Sequence, residues 1–433
     1  MARYRSQRHL IVRLIAGMSI LLLPLIVAAC SGRTDAAVRF DGTMRDSAGV
    51  VLVENHGTPM WREGDVWTFT RRLRIGVADG DSTCMFGRLT GNVTLSDGRV
   101  VVGDAQYHNV RFFSPEGVHL STQGREGAGP GEYGGFIDLL LGPGDTILAV
   151  DRRNRRANVV SPDGKWLGSF PTAPSKGYWI ASWDDDETTS QIVSLMRPIR
   201  GEVAPEDNRF QLLIRRDFQG AFLDTLAWLP TTAFVTGEGD AQLVHLYRGE
   251  SHYDLCDGMI VTGHSDEFRL VWQRPDGTVE RIVKLDREPL AFTEEDQATL
   301  HRRIDAMAQE TGVTREEAAE FKSRFRYEST YPAYRQLLCG PAGTLLVQRI
   351  RPLRELSEEE LPSSWLWRVP LGADEWDVFD REGRYLGVAP LPIPPHRHAF
   401  TRDPSGAWLM SGLERGEFDV PYAGVWQIEG IKQ

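Results

Sequence analysis

The chain has 433 residues, of which 41% are hydrophobic and 25% are charged, and its formal net charge is −11. Its 43 glycines, 24 prolines and 12 tryptophans are typical of a turn-rich globular protein and exclude a disordered one. The acidic balance argues against a nucleic-acid partner, because nucleic-acid recognition needs a basic surface. A chain of this length suggests more than one domain unless its sequence repeats.

The first 29 residues have the organisation of an export signal. Arginines lie between Arg3 and Arg13, an apolar run extends from Leu14 to Ala29, and small residues precede Cys30. A run of about 16 residues is short for a spanning helix, although an ordinary signal anchor is the alternative. The segment resembles the bacterial lipoprotein signal, in which the cysteine after the cleavage site receives lipid. The resemblance implies that Cys30 is lipidated and begins a mature chain of 404 residues with a net charge of −15.

We therefore predict a signal peptide over residues 1–29, a tether over 30–47 and a globular body over 48–433. The predicted contact with the membrane is made through the N-terminal lipid, since the body has no further apolar run of spanning length. Ser31 stands where aspartate retains some bacterial lipoproteins at the inner membrane. Its presence favours the outer membrane, with the body facing the periplasm.

Three copies of one pattern recur in the body without gaps. The second and third copies lie 47 and 160 residues after the first, and their turns begin at Pro115, Pro162 and Pro275. Each copy has a β-branched run, a polar loop and a second strand that ends at a Pro-Asp/Glu-Gly turn. Short strands at this regular spacing predict the four-stranded antiparallel blades of a β-propeller.

Weaker copies cover the rest of the body. Phe210 to Trp228 has the pattern of the outer half of a blade, Leu337 to Gly383 that of a fifth, and Ala399 to Ile428 that of the last. The last copy lacks one strand, which Val50 to Asn55 or Trp67 to Ile75 is expected to supply, because closing the ring hides both sheet edges. The sequence thus predicts an all-β, six-bladed propeller.

One segment departs from the strand pattern. Residues 293–326 have apolar residues at helical spacing, and two capping-box pairs mark the helix starts. The pairs are Thr293 with Asp296 and Thr314 with Glu317. We predict a helical hairpin inserted between the fourth and fifth blades.

The segment Gly124 to Tyr133 contains the phrase Gly-Arg-x-Gly-x-Gly-Pro-Gly-Glu. With Asp151 in the next copy, it resembles the bacterial six-bladed β-propeller proteins related to NHL repeats, many of which are exported lipoproteins of unassigned function. The resemblance covers about Val50 to Ile428, and it departs at His264, where the repeated position has no aspartate. The glycines suit a crossing between blades, and both a structural loop and a backbone-lined ligand loop remain open.

Ligands of propellers usually bind on the face formed by these crossings and by the loops between the second and third strands. Guanidinium groups there suit carboxylate, sulfate or phosphate groups. Pairing with nearby acids such as Asp163 on a wet surface is the alternative. The predicted ligand-binding residues are Tyr107, His108, Arg125, Glu132, Arg152, Arg153 and Arg155.

Asp104, Asp151 and His264 occupy equivalent positions in three copies, and they could converge on a metal if they faced the channel. Propeller lactonases and lyases hold such metals, so a metal-dependent hydrolase or lyase using Ca²⁺ or Zn²⁺ is the alternative function. The other expectation for the aspartates is a hydrogen bond to amides of the following turn. The sequence has no Gly-x-Ser-x-Gly motif and no zinc pattern of paired cysteines, and no catalytic residue is assigned.

Cys84, Cys256 and Cys339 remain after lipidation of Cys30. Cys256 and Cys339 end equivalent strands of successive blades, and we expect this to place them beyond disulfide reach. The favoured function is a monomeric, non-catalytic binding or scaffold module for a peptide, glycan or protein partner.

Overall fold

The computed structural model of the protein describes residues 40–135, 137–172, 178–185, 190–196, 210–217, 221–232, 235–236, 242–361 and 371–431. They belong to one compact unit, Arg39–Gln433. The predicted signal peptide, Cys30 and the first part of the predicted tether lie outside the described residues. Within the described ranges, no helix has the length and apolar character needed to cross a membrane.

The first half of the chain forms three sheets after three N-terminal strands. The N-terminal strands are β1 (Gly42–Ser47), β2 (Val50–Asn55) and β3 (Thr68–Ile75). Sheet 1 contains β4 (Leu89–Thr94), β5 (Val100–Asp104), β6 (Asn109–Phe113) and β7 (His119–Gln123). Sheet 2 contains β8 (Ile137–Leu141), β9 (Ile147–Asp151), β10 (Arg156–Val160) and β11 (Trp166–Pro171). Sheet 3 contains β12 (Tyr178–Asp185), β13 (Ser190–Met196), β14 (Phe210–Asp217) and β15 (Phe222–Pro230).

The second half adds three more sheets and an insertion. After β16 (Val235–Thr236) and β17 (Leu243–Leu246), sheet 4 contains β18 (Ser251–Cys256), β19 (Met259–His264), β20 (Arg269–Gln273) and β21 (Val279–Leu285). The insertion continues with α1 (Glu294–Thr311), α2 (Arg315–Ser323) and β22 (Phe325–Tyr327). Sheet 5 contains β23 (Leu337–Cys339), β24 (Leu345–Arg351), β25 (Leu371–Phe379) and β26 (Tyr385–Pro390). Sheet 6 begins with β27 (Phe400–Arg402), β28 (Trp408–Arg415) and β29 (Pro421–Glu429).

The N-terminal strands complete sheets that the rest of the chain begins. Strand β3 pairs antiparallel with β29 and becomes the outer strand of sheet 6. Of the two segments proposed for this place, Trp67 to Ile75 therefore supplies the strand. Val50 to Asn55 instead forms β2, which pairs in parallel with β21 at the outer edge of sheet 4 and carries β1 beyond it. The predicted tether thus ends earlier than residue 47, because residues 42–47 form a paired strand.

Apolar clusters join most neighbouring sheets. Separate clusters connect sheets 1 and 2, sheets 3 and 4, sheets 4 and 5, and sheets 5 and 6. Between sheets 2 and 3, Arg216 of β14 donates to the carbonyl of Thr172, which follows β11, at 3.0 Å. A further cluster, which includes Ile75, Val102 and Leu409, joins sheet 6 back to sheet 1. Antiparallel sheets packed on their sequence neighbours, with the last sheet packed on the first, make this a mostly β, propeller-like structure.

The repeated turns have the backbone conformation that their residues predict. Gly117, Gly164 and Gly277 follow Pro-Glu or Pro-Asp and have φ values of 84°, 77° and 86°. In the first turn, the Gly117 N–H donates to the Ser114 carbonyl at 2.9 Å, which closes the turn between the third and fourth strands. A residue with a side chain would be strained at these φ values.

Alternation of antiparallel strands gives the sheets two ends with different roles. The loops between second and third strands and the crossings between sheets share one end, named the crossing face. The turns between third and fourth strands, such as residues 114–117 and 161–164, share the other end, named the turn face. The ligand loops predicted from the sequence all belong to the crossing face.

The predicted helical hairpin is confirmed as α1 and α2. Both capping boxes form, with the Thr293 side chain bound to Asp296 and the Thr314 side chain bound to Glu317. The insertion adds a small sheet, in which β22 pairs in parallel with β17. Leu300, Leu246 and Phe325 share one apolar cluster, so the helices pack on this small sheet.

The expected separation of two cysteines is wrong. Cys256 and Cys339 form a disulfide with a Cα–Cα distance of 5.4 Å, and Cys84 is a free cysteine. Cys256 ends β18 and Cys339 ends β23, which are the first strands of sheets 4 and 5. Neighbouring first strands approach each other closely, and the side chains therefore come within bonding reach.

Candidate functional site

A cleft of about 690 Å³ opens on the crossing face beside sheet 4. Its walls come from four separate segments: the end of β15, the segment before β18, the loop after β19 and the segment after β22. Its volume lies within the range of roughly 300–1,000 Å³ that is typical of small-ligand sites. The lining residues are Pro230, Thr231, Thr232, Tyr247, Arg248, Gly249, His264, Asp266, Glu328, Thr330, Tyr331 and Pro332.

His264 lies in this cleft and is held at both ring nitrogens. Its Nδ1 is 3.2 Å from Asp266 Oδ2, and its Nε2 is 3.2 Å from Thr232 Oγ1. Asp266 also accepts the Gly249 N–H at 3.0 Å, and the Thr232 hydroxyl donates to the Gly249 carbonyl. These contacts fix the imidazole ring and leave the loop before β18 tied to the loop after β19.

The lining of the cleft has more acidic side chains than arginines. Arg248 Nε is 3.0 Å from Glu328 Oε1, and both side chains are half-exposed. The Asp266 side chain is 70% exposed, so its carboxylate can also contact a ligand. One guanidinium, two carboxylates and several hydroxyls suit a polar ligand that both donates and accepts hydrogen bonds.

Two buried tyrosines that pack on each other form part of the cleft lining. The rings of Tyr247 and Tyr331 lie 5.1 Å apart, and both side chains are nearly inaccessible to water. The Tyr331 hydroxyl accepts the Leu353 N–H at 3.0 Å, which ties the cleft to the loop after β24 in sheet 5. Burial raises the pKa of both phenols, so they remain protonated and rigidly packed.

The aspartates proposed as metal ligands bind backbone amides. Asp104 is fully buried and accepts N–H groups of Gly87 at 2.8 Å and Gln106 at 3.0 Å. Asp151 is also fully buried and accepts the N–H groups of Gly134 at 2.7 Å and Asn154 at 3.0 Å. No group of three or more His, Cys, Asp or Glu side chains in the described ranges has metal-binding proximity.

The glycine-rich loop is folded onto its own side chains and a neighbouring arginine. Glu132 accepts the Gly129 N–H at 2.7 Å and the Arg125 Nε–H at 2.9 Å. The Gly129 amide first and the Arg125 guanidinium second lower the pKa of Glu132. Gly127 has a φ of 154°, and a Cβ there would collide with Glu132 Oε2. Arg156 donates to the carbonyls of three loop residues, namely Ala128, Gly129 and Glu132.

The arginine run beside this loop has individual partners. Arg152 Nη2 is 2.6 Å from Asp138 Oδ2, and Arg153 donates to the Gly134 carbonyl at 3.0 Å. Arg155 is exposed and adopts a positive φ of 52°. Arg152 and Arg153 are exposed as well, and no wall of the cleft comes from the run.

Tyr107 and His108 lie on the other side of the glycine-rich loop. Tyr107 is 46% exposed and its ring lies 5.2 Å from the Arg111 guanidinium carbon. His108 has a φ of 53°, and its carbonyl lies against Gly124. These residues, Arg125, Glu132 and the arginine run thus adjoin one loop, whereas His264 belongs to the separate cleft beside sheet 4.

A partly buried arginine and two histidines precede sheet 6. Arg397 donates to the Tyr253 carbonyl at 2.8 Å and lies 3.3 Å from Asp254 Oδ1, so this crossing is fastened to the first strand of sheet 4. Burial lowers the pKa of His396, and burial with the Arg397 charge lowers that of His398 to about 4. Burial also raises the pKa of Asp254, which Arg397 opposes.

Sequence reasoning identified His264 but missed much of the cleft around it. Asp266 lies in the polar loop of the third copy, whereas Thr232, Arg248 and Glu328 come from segments outside the repeated pattern. Their side chains meet only because the insertion folds back beside sheet 4, so no spacing in the sequence marks the cleft. The position of His264 at the end of β19, equivalent to Asp104 and Asp151, was the available signal.

No family model matches the chain, and no curated protein matches it. Similar solved structures include a candidate exported protein from Bacteroides fragilis, with 9% identity, 88% of this chain and 100% of that chain covered, and a TM-score of 0.48. A member of the DUF4221 family from Bacteroides vulgatus has 11% identity, 84% and 98% coverage, and a TM-score of 0.44. A gluconolactonase from Xanthomonas campestris has 10% identity, 79% and 88% coverage, and a TM-score of 0.37. None of these likenesses assigns an activity to this protein.

Proposed function

We propose that the protein is a lipid-anchored, exported six-bladed β-propeller that acts as a non-catalytic binding or scaffold module for a peptide, glycan or protein partner. The observation that carries the proposal is the polar cleft of about 690 Å³ on the crossing face. A cleft of this size with convergent donors and acceptors is the usual form of a ligand site.

The proposed six blades are sheets 1 to 6. Support comes from the shared strand order of these sheets and from the pairing of β3 with β29, which joins the N-terminal part of the body to its C-terminal strand. The apolar cluster between sheets 6 and 1 supports a closed ring.

The proposed location is the outer membrane, with the body facing the periplasm. The arginine-rich start, the apolar run and the small residues before Cys30 support export and lipid attachment. The Cys256–Cys339 disulfide supports an oxidising compartment, because disulfides rarely persist in the reducing cytosol.

The hydrogen bonds of the cleft favour binding over nucleophilic catalysis. In a hydrolase triad the hydroxyl donates its proton to the histidine, which acts as the base. Here the Thr232 hydroxyl also contacts the Gly249 carbonyl, which competes with His264 for the hydrogen bond of that hydroxyl. His264, Asp266 and Arg248 are therefore proposed to hold a ligand by hydrogen bonds and charge.

Glycan and peptide arrays probed with residues 39–433 test the binding proposal. The affinity of a captured ligand is then measured by isothermal titration calorimetry for the parent and for Arg248→Ala, which is expected to bind at least tenfold more weakly. Arg274→Ala is the matched control, since it removes an arginine paired with Glu280 at the turn face of the same sheet. Equal losses in both variants, or no ligand on any array, contradict the proposal, and so does chemical conversion of the ligand detected by mass spectrometry.

Fatty-acid labelling of the full chain in a Gram-negative host tests the anchor. The parent is expected to incorporate the label and to sediment with the outer membrane, whereas Cys30→Ser is expected to do neither. Labelling of the Cys30→Ser chain, or an unlabelled parent, refutes lipid attachment at this cysteine.

A further inference from the structure

Exposed apolar side chains are concentrated on the outer strands of three consecutive sheets. These strands are β7, β11 and β15. Each carries two exposed apolar side chains at or just before its first residues, next to the turn that follows the third strand. These six side chains, named the apolar arc, are Val118, Leu120, Trp166, Leu167, Phe222 and Leu223. Leu120, Leu167 and Phe222 are 51%, 60% and 60% exposed, so more than half of each is accessible in the folded chain.

The members of the arc share a position in their sheets. Each lies within the first few residues after the turn between the third and fourth strands, which places it at the turn face. The first three sheets thus present apolar side chains on the same side of the molecule. Exposed large apolar side chains that recur in this way mark an interaction surface.

The other three sheets differ at the same position. In sheet 4 the outer strand β21 is covered by β2. In sheet 5 the outer strand begins after Arg384 with Tyr385, which is buried. In sheet 6 the outer strand β3 begins at this end with Thr68 and Phe69, of which the first is polar and the second is partly buried. The arc is therefore confined to one side of the rim.

We infer that the apolar arc rests on the surface of the phospholipid membrane to which the chain is tethered. The inference rests on the lipid anchor in the proposed function, and it adds the orientation of the protein. Tryptophan, phenylalanine and leucine insert into the boundary between headgroups and acyl chains. Because the chain has a net charge of −11, we do not expect electrostatic attraction to anionic lipid to produce this contact.

The position of the N-terminus is compatible with this orientation. Gly42 pairs with Asn55, and Asn55 lies opposite Leu285, so the described chain begins at the crossing-face end of sheet 4. From there to the turn face, β21 spans about 20 Å at the usual rise of a strand. The 12 residues from Cys30 to Gly42 can extend over about 40 Å. A lipid at Cys30 can therefore reach a membrane at the turn face, beside the neighbouring sheet 3.

This orientation has a consequence for the cleft. The cleft opens on the crossing face, which is the opposite end of the sheets from the arc. A protein resting on the arc presents the cleft away from the lipid, where a peptide, glycan or protein can reach it.

Vesicle cosedimentation of residues 39–433, which form one compact unit, tests the arc without the lipid anchor. Zwitterionic phosphatidylcholine vesicles are expected to retain the unit, and 0.5 M salt is expected to leave retention unchanged, because apolar insertion is not screened (Debye length about 3–8 Å above physiological salt). The triple variant Leu120→Ser, Leu167→Ser, Phe222→Ser is expected to lower the partition coefficient at least tenfold. Trp166 stays unchanged because its Nε1–H donates to Asn158.

The control variant is Val313→Ser with Phe418→Ser, which removes exposed apolar side chains outside the arc and is expected to bind as the parent does. Circular-dichroism melts establish that both variants fold. Equal retention of parent and triple variant overturns the inference, as do absence of parent binding, salt-sensitive binding restricted to anionic vesicles, and self-association of the parent through the arc. The two proposals can fail separately. If the full chain does not incorporate fatty acid but residues 39–433 bind vesicles, only the lipid anchor is refuted. If the full chain incorporates fatty acid but residues 39–433 do not bind vesicles, only the membrane contact of the arc is refuted.

Discussion

Replacing both Cys256 and Cys339 by serine is expected to lower the free energy of unfolding substantially. The disulfide joins residues 83 positions apart, and it connects the first strands of sheets 4 and 5 across the helical insertion. Closing a loop of that length in the unfolded chain corresponds to about 4.5 kcal/mol at room temperature in the chain-entropy description. The loss should be seen both in the double variant and in the reduced parent.

Urea unfolding followed by tryptophan fluorescence measures this difference in residues 39–433. Cys84→Ser is the matched control, because it removes the free thiol, and it is expected to change stability by less than about 0.5 kcal/mol. Thiol titration of the unfolded, non-reduced unit is expected to find one thiol. Three thiols, or equal urea midpoints for the double variant and the parent, would refute the reasoning.

Three further predictions concern buried acids, buried histidines and a helix cap. Asp104→Ala is expected to lower stability by about 3 kcal/mol, because buried amides lose a charged acceptor, whereas the exposed Asp163→Ala changes thermal melts little; equal melts for the two contradict this. Burial lowers the pKa of His252 to about 3 and that of His398 to about 4. The unfolded chain therefore binds more protons than the folded chain below pH 6.5, and stability falls progressively as the pH is lowered from 6.5 towards 4. Urea unfolding at pH 7 and pH 5 measures this loss of stability, which is expected to be smaller in His398→Asn than in the parent. Equal losses in the parent and the variant would contradict the prediction. Thr293→Ala is expected to cost about 1 kcal/mol through loss of the α1 cap, measured by urea unfolding against Thr43→Ala, and an unchanged midpoint argues against the cap.

The strands and helices could be predicted where the signal is local. The turn ending at Gly117 needs a positive φ that glycine supplies, and its repetition at Gly164 and Gly277 defines the strand ends. Thr293 and Thr314 meet their capping partners three residues away, which any helix start would bring together. In such cases the interacting residues are near each other in the chain, so spacing alone indicates the contact.

The cleft and the disulfide could not be predicted in this way. Thr232, His264 and Glu328 are far apart in sequence, and their proximity depends on how the insertion packs beside sheet 4. Cys256 and Cys339 meet because neighbouring first strands approach closely, a distance that the repeat pattern does not contain. The arginine run shows the same limit, since Arg156 binds the carbonyls of a loop more than 20 residues earlier.

Hydrogen–deuterium exchange of residues 39–433 with an array-selected ligand tests the central claim most directly. The account predicts that the ligand slows exchange in the segments that line the cleft, namely residues 247–249, 264–266 and 328–332. Exchange at the turn-face residues 114–117 and 161–164 should stay unchanged. Protection confined to the turn face, or to the glycine-rich loop at 124–133 without the cleft, would contradict the assignment of the cleft as the ligand site.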